Sequence, residues 1–210
     1  MIKSGSNKFP TFHKKLVSNH ILLAFLWILY CTLHSLLATI KCKTWVERRF
    51  PGYHTYFPLF YSLLAMVTLV FLLYFQYSFK SWLLINSSVL KYISIAILLL
   101  PGLAIMGISI LSYYRLFGGI KSIYMASKPV SLDLKGIHKY VRHPLYSGTL
   151  LFIWGLFFIF PFLNNLIAAV IITAYVGIGL KFEEKKLIKT FANVYISYMK
   201  EVPSLFPRLR

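Results

Sequence analysis

The sequence predicts an all-α integral membrane protein of about five transmembrane helices with a cytosolic pocket formed by a C-terminal helical hairpin and tail. Hydrophobic residues make up 58% of the 210 residues and charged residues only 13%, against about 25% charged in globular domains. The 23 Lys+Arg against 5 Asp+Glu give a net charge of +18. These basic residues stand between long apolar runs, which favours a membrane surface over nucleic acid as the partner.

Five apolar segments are long enough, or nearly so, to cross about 30 Å of hydrocarbon at about 1.5 Å per residue. They are Ile21–Ile40, Phe57–Phe79, Tyr92–Tyr114, Leu145–Leu163 and Asn164–Leu180. Pro101-Gly102 predicts a kink in the third segment. The last two segments are short and meet at Asn164-Asn165, which predicts a tight hairpin. The first segment is too long for the hydrophobic region of a signal peptide and is interpreted as a retained span.

The distribution of Lys and Arg predicts the orientation of these spans. The N-terminus and the loop 80–91 share one face and carry 6 basic residues, whereas the loops 41–56 and 115–144 and the tail carry 17. The positive-inside rule places the second group in the cytosol and the N-terminus outside. All five acidic residues also lie on the predicted cytosolic face.

Several other kinds of site find no support in the sequence. Cys31 and Cys42 provide neither a disulfide framework nor a metal motif. A glycine-rich dinucleotide fingerprint, a P-loop and zinc-ligand spacing are all missing, which excludes a soluble Rossmann-type methyltransferase. His34-Ser35 in the first span is either functional or a polar pair satisfied by a neighbouring helix.

The first polar segment of interest precedes the fourth apolar segment and contains Arg142-His143-Pro144-Leu145-Tyr146. Pro144 suits the first turn of a helix, where its missing N–H would be unpaired anyway. A helix N-terminus favours anions, and Arg142 and His143 add donors there. The segment predicts a site for a carboxylate or phosphate, although headgroup anchoring explains Arg142 and the nearby Lys139 equally well.

The second polar segment follows the fifth apolar segment and contains adjacent carboxylates, Glu183 and Glu184. A helix C-terminus disfavours negative charge, so a carboxylate pair there needs an explanation. The two carboxylates either form ion pairs with the lysines that follow them, or one of them points inward and binds a cationic ligand. Tyr195 and Tyr198 share a helix face further on, which indicates packing against the membrane surface or a role in the same site. The predicted hairpin would bring both polar segments together.

These residues resemble the signature of the isoprenylcysteine carboxyl methyltransferase family. The first half is Gly136 through Tyr146, and the second is Glu183-Glu184-x-x-Leu187 followed by the two tyrosines and Val202-Pro203. The resemblance covers about residues 128–207. Leu33 through Ala38 is similar to the bacterial, NnrU-like branch, which implies a bacterial inner-membrane protein.

The resemblance implies an S-adenosylmethionine-dependent methyltransferase with a cytosol-facing cofactor pocket. Carried over residue by residue, the cofactor contacts are Val130, Ser131, Leu132, Asp133, His138, His143, Pro144, Leu145, Tyr146 and Glu183, with Glu183 at the cationic end. The eukaryotic members place an arginine four residues before that glutamate to hold a substrate carboxylate, and Gly179 stands here instead. Lys181, Arg142 and Glu184 are the remaining candidates for substrate binding.

The predicted acceptor is a lipid-like or small molecule bearing a carboxylate or thiol, which could arrive laterally from the bilayer. A carboxylate needs no base, whereas a thiol, amine or hydroxyl does, and His143 or Glu184 could serve; the sequence assigns no catalytic residue. Residues 1–114 are expected to form a transmembrane region and residues 115–210 the catalytic region. An NADPH-dependent reductase of the sterol-reductase type and a membrane interaction protein are the alternatives.

Overall fold

A computed structural model describes residues 9–50, 52, 56–116, 132 and 134–208, apart from the side chains at 9–13, 40 and 113–116. These residues form helices and their connections; the β-type pairing among them is one isolated bridge between Leu83 and Phe162. The helices are α1 Phe9–Ala38, α2 Ile40–Arg49, α3 Phe57–Tyr77, α4 Ser88–Ser94, α5 Leu100–Leu116, α6 Pro144–Ile159 and α7 Leu163–Glu201. A 3₁₀ turn covers Gly136–Lys139. The prediction of an all-α membrane protein is confirmed.

Four described helical stretches are long and apolar enough to cross a membrane. They are Lys14–Ala38, Phe57–Tyr77, Ser88–Ser112 and Leu163–Glu201. The segment predicted as the fourth span is an apolar helix of 16 residues, α6. At 1.5 Å per residue it is about 24 Å long, short of the roughly 30 Å hydrocarbon core.

Pro101 is accompanied by a local change of geometry in the third membrane helix. A π-helical turn, Ile95–Leu99, joins α4 to α5 immediately before the proline, and the Leu100 N–H bonds back to the Ile95 carbonyl. Proline has no N–H, and its ring clashes with the carbonyl four residues earlier, so a wider turn there relieves the clash. The irregularity that the sequence predicts at Pro101-Gly102 thus takes the form of a π turn.

The last helix differs from the sequence-based expectation in its start and its length. The connection after α6 is Phe160–Phe162, and the predicted turn residues Asn164 and Asn165 are instead buried in the first turn of α7. The helix also continues beyond Leu180 to Glu201. Neither Gly nor Pro occurs between residues 181 and 201, but Ala192 has non-helical backbone angles, φ 46° and ψ −126°, so α7 consists of two helical stretches joined by a kink at Ala192. The carboxylate pair consequently lies within the helix, which corrects the expected position at its C-terminus.

The described chain divides into two compact units. The first comprises Met1–Asn86 with Pro161–Ile171, and the second Ser87–Phe160 with Ile172–Arg210. A buried polar network in the first unit explains the position of the asparagine pair. The Trp27 Nε1 donates to Gln76 Oε1 at 2.8 Å, Gln76 Nε2 donates to Asn165 Oδ1 at 2.8 Å, and Asn164 Nδ2 donates to the Gln76 carbonyl at 2.8 Å. Low-dielectric surroundings strengthen such bonds, so the network fixes the helices it joins.

The second unit contains a close approach between the helices α5 and α6. A Cβ added at Gly148 of α6 would stand 2.9 Å from both the Gly102 carbonyl oxygen and the Met106 backbone nitrogen of α5. Small residues allow membrane helices to approach in this way. This contact positions the N-terminal half of α6, whose first turn contains the end of the first polar segment.

Candidate functional site

The candidate site begins at the residues that lead into α6. His143 directly precedes the helix and Pro144 opens it, as the sequence predicts. The Arg142 and His143 amides donate to the Pro203 and Ser204 carbonyls at 2.9 and 3.0 Å, and Ser147 Oγ donates to the Leu205 carbonyl. The segment after α7 is therefore fixed along the start of α6, and the two polar segments predicted to meet do meet.

Arg142 is the central cation of this assembly. Its guanidinium donates from Nε to Glu184 Oε1 at 3.0 Å and from Nη1 to the carbonyls of Met199, at 3.2 Å, and Val202. Its side chain is 8% exposed and that of Glu184 is 17% exposed. Charge-assisted bonds of this kind are strong, and a guanidinium presents several donors in a rigid fork. Arg142 and Glu184 therefore bind each other and hold the C-terminal end of α7.

Glu183 has a different environment from its neighbour. Its Oε2 accepts a hydrogen bond from the Tyr146 hydroxyl at 2.7 Å and lies 3.9 Å from His143 Nδ1. The side chain remains 44% exposed. Of the adjacent carboxylates, Glu184 is thus the buried one with an arginine partner, and Glu183 is the one that an approaching cation can reach.

His143 is buried between these two carboxylates. Its Nε2 lies 3.4 Å from Glu184 Oε1 and 3.4 Å from the Tyr195 hydroxyl, and its ring stacks on Tyr146 at 5.7 Å between centroids. Burial lowers the pKa of the His143 imidazole below its ordinary value of 6.5, although Glu183 and Glu184 both oppose this shift. A neutral imidazole at neutral pH is the consequence.

Lowering the pH from about 7.5 to about 5.5, across the ordinary titration range of histidine, is expected to lower the melting temperature through His143. The unfolded imidazole takes up a proton more readily than the folded one, so unfolding is favoured below pH 6.5. Differential scanning fluorimetry of wild type and His143→Gln in detergent measures this. The melting temperature of the variant should depend less on pH over this range than that of wild type. Equal slopes of melting temperature against pH would show that His143 is not responsible.

Some of the other residues predicted to bind the cofactor or substrate adjoin His143 and the two carboxylates. His138 Nδ1 lies 3.2 Å from the Arg142 carbonyl, and the His138 carbonyl accepts from Tyr198 at 2.5 Å. Pro144 is buried, Leu145 is 44% exposed and Leu132 packs against the tyrosine cluster of α7. Lys181 is exposed. Val130, Ser131 and Asp133 lie outside the described residues.

Tyr195 and the segment after α7 are site components that sequence reasoning did not include among the binding residues. Tyr195 is 1% exposed, and it forms a buried cluster with Tyr198 and Val202. The signal was present in the tyrosine spacing and in Val202-Pro203. The role of the Pro203 and Ser204 carbonyls as acceptors, however, cannot be recognised in a sequence, because every residue has a backbone carbonyl.

Comparison with known proteins places the chain among methyltransferases. The sequence model of the phospholipid methyltransferase family matches residues 90–194. A methanethiol S-methyltransferase of Pseudomonas sp. (strain GM41(2012)) is 29% identical over 88% of the chain and 72% of its own length. One from Crocosphaera subtropica is 28% identical over 83% and 69%. A protein-S-isoprenylcysteine O-methyltransferase of Schizosaccharomyces pombe is 35% identical over 34% and 31%. No solved structure gives a significant match.

Proposed function

The chain belongs to the phospholipid methyltransferase family and is a membrane methyltransferase, and from this premise we propose that S-adenosylmethionine is its methyl donor and a small thiol its acceptor. The observation that carries the donor assignment is the exposed Glu183 carboxylate beside Tyr146 and the start of α6. S-adenosylmethionine bears a sulfonium, an ammonium and a carboxylate. A carboxylate next to a helix N-terminus offers partners for both signs of charge.

The proposed binding roles follow from exposure and hydrogen bonding. Glu183 would face the cationic end of the donor, with Tyr146 holding the carboxylate in place. His143 and the N–H groups of the first α6 turn would face its carboxylate. Of the other expected contacts, His138, Pro144 and Leu145 adjoin this group, and Leu132 would line the same side through its packing against α7.

The proposed acceptor is a thiol because two of the similar proteins are named methanethiol S-methyltransferases. Bound S-adenosylmethionine supplies an electrophilic methyl group whose bond to the sulfonium breaks as a bond to the thiol sulfur forms. The thiol loses its proton, and we propose the neutral His143 as the group that accepts it. Positioning of the two reactants can lower the barrier of such a displacement by several kcal/mol.

Arg142 and Glu184 are assigned a supporting role in this proposal. Both were expected to bind substrate, but they bind each other and the end of α7. We therefore propose that they position His143 and the segment after α7. Lys181 is exposed and is proposed as an outer contact for the acceptor.

We further propose that the site faces the cytosol of a bacterium, with the protein in the inner membrane and its N-terminus outside. The excess of Lys and Arg near the site supports this orientation, and S-adenosylmethionine is available on that side. Residues 115–210 would supply the catalytic region and residues 1–114 the transmembrane region.

Binding of S-adenosylmethionine to the detergent-purified protein tests the donor assignment. Glu183→Gln is expected to weaken binding at least about tenfold, or about 1.4 kcal/mol, because the amide loses the charge that faces the sulfonium. Glu201→Gln makes the same chemical change at an exposed position of the same helix and should bind as wild type does. Titration calorimetry gives both affinities.

Two results would overturn this proposal. Equal affinities of wild type and Glu183→Gln would remove Glu183 from the site. A wild-type protein that binds NADPH but not S-adenosylmethionine would support the reductase alternative. Conversion of methanethiol to dimethyl sulfide, followed by gas chromatography, tests the acceptor separately, and a protein that binds the donor but leaves methanethiol unchanged would need a different acceptor.

A further inference from the structure

A cavity in the first unit lies between α1 and α3 and is separate in sequence from every residue assigned to the candidate site. Its volume is about 390 Å³. Most of its lining is aliphatic or aromatic, including Leu26, Leu33, Ala65 and Phe75. Both helices are among those able to cross a membrane, so the cavity lies at bilayer depth.

The cavity is elongated along the two helices. Its lining runs from Leu26 to Leu37 on α1 and from Tyr61 to Phe75 on α3, which is about 17 Å and about 21 Å at 1.5 Å per residue. Half of the hydrocarbon core of a bilayer is about 15 Å thick. The cavity therefore extends over about one leaflet.

The volume of about 390 Å³ falls within the range of about 300–1,000 Å³ that ligand-binding pockets occupy. The cavity is therefore large enough to hold an apolar chain and not only a small gap between the helices.

One end of the cavity is polar. The Tyr61 hydroxyl lies 3.0 Å from the His34 ring nitrogens, and the two rings are 5.3 Å apart. Both residues lie four positions inside the adjoining helix ends, Ala38 and Phe57. That is about 6 Å along the helix axis, so the polar pair lies toward one end of both membrane helices. The sequence left open whether His34 is functional or merely satisfied by a neighbouring helix, and Tyr61 provides the neighbouring partner.

We propose that this cavity, the α1–α3 groove, binds one acyl chain of a bilayer phospholipid, with the ester end of that chain directed toward His34 and Tyr61. Several lining residues also face outward, including Leu33 at 48% and Phe71 at 69% exposure, so a chain can enter sideways from the bilayer. The apolar walls match the chain and the polar end matches its ester. The inference is independent of the proposed methyl donor and acceptor.

A phosphatidylcholine with a diazirine midway along one acyl chain tests the proposal. The full-length protein is reconstituted in nanodiscs containing a small fraction of this lipid, irradiated and mapped by mass spectrometry. Residues of the groove should be labelled about tenfold more, a difference of about 1.4 kcal/mol in occupancy, than Met66 and Val70, which are exposed on the same helix outside the groove. Equal labelling of the two sets would overturn the proposal.

Two matched variants separate the groove from general lipid contact. Ala65→Phe places a ring inside the groove and should abolish the preference, whereas Val67→Phe adds the same ring to α3 outside the groove lining and should preserve it. Ala65→Leu serves the same purpose if the larger side chain prevents folding. If Ala65→Phe changes the oligomeric mass in light scattering but leaves the labelling unchanged, a second copy occupies the groove and the lipid proposal fails.

Discussion

Arg142→Met is expected to lower the free energy of unfolding by about 3–5 kcal/mol, the usual cost of removing one partner from a buried ion pair. Methionine keeps much of the length of the side chain but leaves the Glu184 carboxylate without its cation. It also removes the donor to the Met199 and Val202 carbonyls. Equilibrium unfolding in mixed micelles measures the loss.

The matched control for this change is Lys139→Met, which removes a cation from an exposed position three residues earlier. Its effect should stay within about 0.5 kcal/mol, as for most surface substitutions. Adding Glu184→Met to Arg142→Met should restore part of the stability, because the unpaired carboxylate is then gone. If Arg142→Met and Lys139→Met cost the same, the buried ion pair contributes nothing.

Gly148→Leu is expected to cost at least about 3 kcal/mol, the upper part of the range for overpacking a close contact. The added Cβ would lie 2.9 Å from two backbone atoms of α5, in Gly102 and Met106, and backbone cannot move aside as a flexible side chain can. The start of α6 would shift with it, so S-adenosylmethionine binding should fall as well. The melting temperature measures the loss of stability, and titration calorimetry measures the loss of affinity for S-adenosylmethionine.

Gly107→Leu is the control, since it places the same side chain in α5 where a Cβ meets no atom within 4 Å. Replacing a helical glycine there should raise stability by several tenths of a kcal/mol to about 1 kcal/mol through helix propensity. If the Gly148→Leu and Gly107→Leu proteins had the same melting temperature, α5 and α6 would not approach closely at Gly148.

The sequence predicts the helices well where a long apolar run has a clear boundary. Phe57 begins both the predicted and the observed second span, and Pro144 begins α6. The sequence places the end of the last span at Leu180, where the apolar run stops, but helical structure continues to Glu201 with a kink at Ala192. Hydropathy indicates where a segment leaves the membrane, whereas backbone propensity indicates where the helix ends. The end of the membrane span and the end of the helix therefore need not coincide.

The sequence predicts that the two polar segments meet, but it does not predict which side chains pair. The sequence brings the Arg142 segment and the carboxylate pair to one place. Which carboxylate turns inward depends on the rotation of α7 relative to α6, since adjacent helix residues point about 100° apart. Only the structure assigns Glu184 to the arginine and leaves Glu183 exposed.

The hydrogen bonds from Arg142 and His143 to Pro203 and Ser204 join residues 61 positions apart in the chain. Contacts of such high sequence separation form slowly, because the entropy of closing the loop is lost before they contribute stability. They require α6 and the second half of α7 to be folded first, since these helices bring the two segments together. The candidate site is therefore expected to be completed late in folding and to open by local unfolding before the helices that support it.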